Sequence, residues 1–185
     1  MDGMPPPEEP IRLVDYGCGQ GLAGLMLFDK FDGAFSSKLA KVVLVEPSPM
    51  ALVRAEAIYR CIAPTADITC VSKPFDQLCT SDVMPEATLR AVHVFSNVLD
   101  VKGFDQYRLF GQILTPGSHT VLAVSHDRDF DGGTARIRGI KAAVEDPKHA
   151  DQLVVEGSTL SEFRCGPGDK YPAVSWCGRF EVSGG

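Results

Sequence analysis

Three glycines spaced by single residues, Gly17, Gly19 and Gly21, follow an acidic residue in the run Arg12-Leu-Val-Asp-Tyr-Gly-Cys-Gly-Gln-Gly-Leu22. Glycines so placed let the chain turn with positive φ and let a ligand touch its backbone. Apolar residues before the loop predict a strand and those after it a helix. The loop therefore ends on a helix N-terminus, where unpaired N–H groups and a partial positive charge seat an anion. A second acid, Glu46, closes the next β-rich run about 25 residues later, a position from which a carboxylate takes two ribose hydroxyls. Glycine turn, helix start and second-strand acid together make a nucleoside-ligand site.

Gly19-Gln-Gly21-Leu-Ala-Gly24 also satisfies G-x-G-x-x-G, so a dinucleotide oxidoreductase is one reading, although the bare pattern is weak. Asp15 opposes it, because a carboxylate at the loop repels a pyrophosphate and favours a ligand carrying an ammonium and a sulfonium. In an open α/β sheet ligands bind beyond the carboxyl ends of the strands. Further polar residues fall there: Ser96 and Asn97, then Asp100, then Ser125 and His126. Asn97, Asp100 and His126 are the candidates to orient or deprotonate a substrate; as plain structure, the first two cap a nearby helix or close a turn and His126 is a solvated loop residue. His93, inside a strand, reads as a core histidine. Arg128, Arg136, Arg138 and Lys141 form a local basic run, either a solvated helix face or a seat for an anion. Phe75, Phe95 and Phe130 wall a pocket or belong to the core.

The elements that must position these residues alternate along the chain. Short β-rich runs occupy Ile11–Asp15, Val42–Glu46, Ile68–Ser72, Ala91–Ser96, Thr120–Ser125, Leu153–Glu156 and Arg179–Val182. Helix-like spacing of apolar residues fills Leu22–Phe31, Met50–Ile62, Phe104–Leu114 and Thr134–Glu145. Val42-Val-Leu-Val45 is a continuous apolar run, as in a strand buried on both faces. The alternation predicts an α/β fold with a doubly wound, mostly parallel sheet. The Gly/Pro-rich turn Cys165–Asp169 joins two last strands as an antiparallel closing pair. One domain, residues 11–185, follows a Pro-rich N-terminal tail of residues 1–10.

Composition narrows the class. The 185 residues carry a net charge of −6, with 44% hydrophobic residues, enough for a core and too acidic for binding nucleic acid by bulk charge alone. No apolar run reaches the ~20 residues of a membrane helix, and the start lacks the pattern of a signal peptide. The six cysteines show no C-x-x-C spacing, which leaves buried free thiols, no metal site, and a reducing, cytoplasmic compartment as the expectation.

The acid-x-Gly-x-Gly-x-Gly order of Asp15 to Gly21 resembles the first motif of the class I (Rossmann-like) S-adenosylmethionine (SAM)-dependent methyltransferases. Val45-Glu-Pro-Ser48 is similar to the acidic end of their second strand, Val94-Phe-Ser-Asn-Val-Leu-Asp100 to their fourth strand and following loop, and Gln112-Ile-Leu-Thr-Pro-Gly-Ser118 to their Leu-x-Pro-Gly-Gly turn. The resemblance runs from about Ile11 to Ser125 and implies a seven-stranded sheet with an antiparallel last strand. It also implies SAM as cofactor, lined by Asp15, Gly17, Cys18, Gly19, Gly21, Glu46, Pro47 and Ser96. After the third strand many members place an Asp for the adenine amino group. Here Pro74 stands near that position, leaving backbone groups, Phe75 as an apolar wall, or Asp76. The Asn-Pro-Pro-Tyr type of motif is absent, which disfavours amino groups of DNA, and only ten residues precede the first strand where members carry capping helices. Three functions stand: a methyltransferase, or methyltransferase domain of a larger protein, with an unidentified acceptor, an anionic RNA or small molecule being one reading; a SAM-binding module without independent catalysis, its site completed by a partner or flanking domain; and a nicotinamide-dependent oxidoreductase. No membrane partner is implied.

Overall fold

The computed structural model describes residues 8–31, 34–84, 89–126, 132–168 and 170–184. Seven strands form one sheet in the order β3-β2-β1-β4-β5-β7-β6: β1 (Ile11–Tyr16), β2 (Leu39–Val45), β3 (Asp67–Val71), β4 (Arg90–Ser96), β5 (Gly117–His126), β6 (Leu153–Cys165) and β7 (Tyr171–Val182). β7 runs opposite to the other six strands, antiparallel to both β5 and β6; β1 to β5 pair in parallel. The expected doubly wound sheet with its closing hairpin is present. The hairpin is much longer than expected: β6 extends nine residues beyond Glu156 and β7 begins eight residues before Arg179. Beyond its apolar start at Leu153–Val155, β6 is an edge strand of mostly small and polar residues, so no apolar run marks its full length.

Helices α1 (Leu22–Lys30) and α2 (Pro49–Ile62) cover one face, and α3 (Thr80–Val83), α4 (Gln106–Ile113) and α5 (Gly133–Val144) the other. The core is accordingly split by the sheet. Val14, Tyr16, Phe95, Val121 and Trp176 pack with Leu109, Phe110, Ile137 and Ile140, while Leu13, Val42, Leu44 and Val92 pack with Leu27, Phe28, Ala55 and Tyr59. Phe95 is fully buried, stacked on Tyr16 at 4.3 Å, so its place is the core rather than a pocket wall. Ser48 caps α2 by accepting the Ala51 N–H, with Pro49 at the first helical position, and Asp105 caps α4 through the Tyr107 and Arg108 N–H groups. Asn97 and Asp100 are thus not the caps of that helix.

His93 is a core histidine, in a buried line of hydrogen bonds. His119 Nε2 lies 2.6 Å from the Thr115 carbonyl, which only accepts, so Nε2 carries the proton and Nδ1 accepts from His93 Nε2–H at 3.0 Å. His93 Nδ1 is then left to accept the Tyr16 hydroxyl at 3.0 Å. Both imidazoles are neutral in this arrangement, and burial lowers the affinity of each for a second proton.

Buried thiols are the exception. Cys18 is buried, Cys165 and Cys177 are partly covered, and Cys61, Cys70 and Cys79 are exposed. Cys70 sits on β3, the sheet edge, with its Sγ 3.7 Å from the Glu56 carboxylate of α2. Among the described residues no group of three or more His, Cys, Asp or Glu is placed to hold a metal ion, and no helix is long and apolar enough to cross a membrane.

Candidate functional site

Parallel pairing of β1 with β2 and β4 brings their carboxyl ends side by side. The loop after β1 is tied down from β2: the Cys18 N–H donates to the Val45 carbonyl at 3.1 Å, and the Gly21 N–H to the Cys18 carbonyl at 2.8 Å. Gly17, Gly19 and Gly21 all have positive φ, at 60°, 52° and 81°. They differ in what surrounds them. A Cβ on Gly17 would enter the Val98 side chain, and one on Gly21 would lie 3.3 Å from the Ala55 backbone. A Cβ on Gly19 would meet nothing within 4 Å. Gly19 is therefore the open floor of the loop, while its neighbours are glycine for packing. α1 starts at Gly21 with no side-chain cap, so its first N–H groups are available to an anion.

Glu46 lies just past β2, half-buried beside this floor. Its Oε2 accepts the Gly19 N–H at 3.2 Å and its Oε1 the Ser48 N–H at 3.1 Å. Pro47 is exposed next to it. Phe75 is buried, edge-on to Tyr16 and to Phe104, and Asp76 is exposed in the short turn after β3. The two loops converge beside Gly17, where Val98 and the Phe75 ring are both neighbours.

Asp15 is placed differently from the loop residues. It is 1% exposed, beneath the loop, and its Oδ2 accepts the Tyr59 hydroxyl at 2.9 Å. Its other oxygen has no hydrogen-bond partner among the described residues. Burial pushes the carboxyl up to about 7 against the opposing pull of the Tyr59 hydrogen bond. Tyr59 reaches Asp15 because Gly24 leaves room: a side chain there would occupy the phenol's position. The third glycine of the G-x-G-x-x-G match thus serves helix packing. Cys18, next to Asp15 and Glu46, has its thiol pushed up by burial and by both carboxylates.

At the ends of β4 and β5, Ser96 is half-buried and Asn97 is exposed with φ 53°, the one non-glycine residue with positive φ among those described. The Asn97 Oδ1 accepts the His126 backbone N–H at 3.3 Å, and the His126 Nδ1 lies 3.6 Å from the Cys165 Sγ. Asn97 and His126 are therefore together. Asp100 is half-buried beside the start of α5, at Gly133. The described members of the basic run have partners within the chain. Arg136 donates to the Leu99 and Val101 carbonyls at 2.6 and 2.5 Å and lies over the Phe104 ring, Arg138 pairs with Glu162, and Lys141 with Glu145. Arg128 and Phe130 lie outside the described residues, as do residues 1–7 of the tail and Asp169 of the hairpin turn.

The bond between Glu46 and the Gly19 N–H agrees with the spacing read from sequence. The Asp15–Tyr59–Gly24 unit was not legible, since neither a tyrosine in an amphipathic helix nor a glycine in another marks a contact between them. The use of Arg136 as a clamp on two carbonyls had no sequence signal either.

No protein-family model and no curated protein matches the sequence. Solved structures do. A candidate rRNA-methylase from Clostridium thermocellum superposes with a TM-score of 0.61 at 12% identity, over 95% of this chain and 89% of the other. TYW2 of M. jannaschii, in complex with AdoMet, gives 0.56 at 14% identity over 94% and 70%. A SAM-dependent methyltransferase of Leishmania major gives 0.54 at 16% identity over 97% and 68%. The fold is that of the Rossmann-like methyltransferases.

Proposed function

We propose that this chain is a SAM-dependent methyltransferase, or the methyltransferase domain of a larger protein, with residues 11–185 acting as one SAM-binding unit. The observation that carries the reading is the Glu46 carboxylate hydrogen-bonded to Gly19 at the open floor of the glycine loop, directly before the uncapped α1. Bound there, SAM supplies an electrophilic methyl group on a sulfonium. The first N–H groups of α1 hold its amino-acid carboxylate, and Glu46 accepts from the ribose hydroxyls beside Pro47. Gly17, Gly19, Gly21, Cys18 and Ser96 line the approach. Phe75 and Asp76 stand toward the adenine end, and Asp15 sets the charge beneath the loop. Asn97 and His126 hold the acceptor and take its proton, with Asp100 behind them. Six free thiols suit a reducing, cytoplasmic setting.

A SAM-binding module that needs a partner or flanking domain for catalysis is the second reading. It is favoured by the bare sheet face beside α1 and by cations already engaged within the chain. The nicotinamide reading conflicts with β7 lying between β5 and β6, because dinucleotide folds run 3-2-1-4-5-6. Calorimetric titration with SAM, S-adenosylhomocysteine and NAD tests the choice. SAM and S-adenosylhomocysteine should bind one to one and NAD should not; binding of NAD alone refutes the proposal.

A further inference from the structure

Among the described residues, the face that α1 and α2 cover over β1 to β3 carries no helix over β5, β7 and β6, and a groove of about 530 Å³ lies there. Met26 of α1 is part of its wall; Val94, Leu122 and Cys177 form the apolar floor, with the short side chains of Thr159 and Ser175 beside them. One end is polar, at Asn97, His126 and Cys165.

We propose that this groove receives the methyl acceptor, and that the acceptor is an uncharged molecule with an apolar body and one hydrogen-bonding end. The inference rests on the methyltransferase reading above. The volume lies within the roughly 300–1,000 Å³ of small-molecule sites. Among the described residues none of the lining side chains is Asp, Glu, Lys or Arg, in a chain where 23% of residues are charged. A charged body would lose its hydration there with nothing to replace it. The hydroxyls of Thr159, Ser161 and Ser175 lie along the groove, and Asn97 and His126 stand where it meets the carboxyl ends of β4 and β5, the same edge of the sheet that carries Gly19 and Glu46. An acceptor lying along the groove presents its O–H, N–H or S–H at that edge. The bond from its lone pair to the methyl carbon forms as the methyl–sulfur bond breaks, the electron pair stays on sulfur as a neutral thioether, and the acceptor's proton passes to the His126 imidazole. RNA fits this placement poorly, because Arg136, Arg138 and Lys141 are engaged within the chain.

The test uses the whole chain and the neutral fluorophore N-phenyl-1-naphthylamine. Wild type should bind it saturably, one to one. Met26→Lys and Phe163→Lys alter exposed side chains of the groove, so melting should show both folded while probe affinity falls at least about tenfold. SAM titrations on both variants should match wild type. Equal probe binding in the lysine variants overturns the proposal, as does displacement of the probe by an RNA oligonucleotide. A concentration-dependent dimer that excludes the probe also overturns it and makes a second copy the occupant. Probe failure with SAM bound sinks the groove assignment alone; probe binding without SAM binding sinks the methyltransferase reading and the acceptor role with it.

Discussion

Acidification from pH 7 to pH 5 should destabilise this protein through two buried histidines, and removal of one carboxyl should make the effect steeper. His93 and His119 are 0% and 1% exposed, and a second proton on His119 Nδ1 would face the His93 N–H. Their folded pKa values are lowered, so below the unfolded value of about 6.5 the unfolded chain binds two protons that the folded chain refuses. Each costs about 1.4 kcal/mol per pH unit until its folded pKa is reached. Asp15 acts in the opposite sense. Raised to about 7, it holds a proton in the folded state that the unfolded chain, at about 3.9, does not take, so its contribution is present at low pH and lost as pH rises toward 7. Below about 6.5 the two histidines outweigh the one carboxyl, so the net uptake on unfolding is at most one proton and the loss by pH 5 at most about 2 kcal/mol. For a chain of this size that lowers Tm by up to roughly 8 °C. Asp15→Asn keeps an oxygen for the Tyr59 hydroxyl and removes the opposing term, so its loss over the same interval should be larger than that of wild type, up to about 4 kcal/mol. Thermal melts or urea unfolding of both proteins at pH 7, 6 and 5, each compared with its own pH 7 value, measure this. A wild-type Tm flat over the range, or equal slopes in the two proteins, refutes the reasoning.

Glu46→Ala should leave the fold intact and weaken SAM by about 1.5–3 kcal/mol, the scale of charge-assisted hydrogen bonds, by calorimetry; unchanged affinity removes Glu46 from the site. Gly24→Ala puts a methyl group where the Tyr59 phenol lies and should cost about 1–3 kcal/mol in urea unfolding; an unchanged midpoint would show that α1 and α2 separate without cost.

Much of the sheet was legible because its parallel strands are buried on both faces and so read as apolar runs, Val42 to Val45 most plainly. The glycine loop and Glu46 were legible because their spacing is dictated by the path from one strand end to the next. β6 was legible only at its start, Leu153–Glu156: the rest is an edge strand with much of its length in solvent, which needs no hydrophobic pattern, and Gly157, Ser158 and Ser161 carry none. The short α3 was missed for a related reason, as four residues make a single turn and hold no period. Long-range partnerships were invisible throughout. Nothing around Asp15 in the sequence marks the Tyr59 hydroxyl that reaches it across 44 positions, and Arg136 reads as a solvated or anion-seating cation until the carbonyls of Leu99 and Val101 are found beneath it.

The insertion of β7 between β5 and β6 imposes an order on synthesis at the ribosome. β5 is complete by His126, yet the strand that pairs with its outer edge begins only at Tyr171. Through that interval β5 shows an open row of N–H and C=O groups, and β6 emerges with no strand of its own chain to pair with, since its sole partner in the sheet is also β7. Unpaired edges of this kind invite strands from other chains. The last dozen residues of the sheet therefore close two edges in one step, and a nascent chain stalled before Tyr171 is the species most exposed to aggregation.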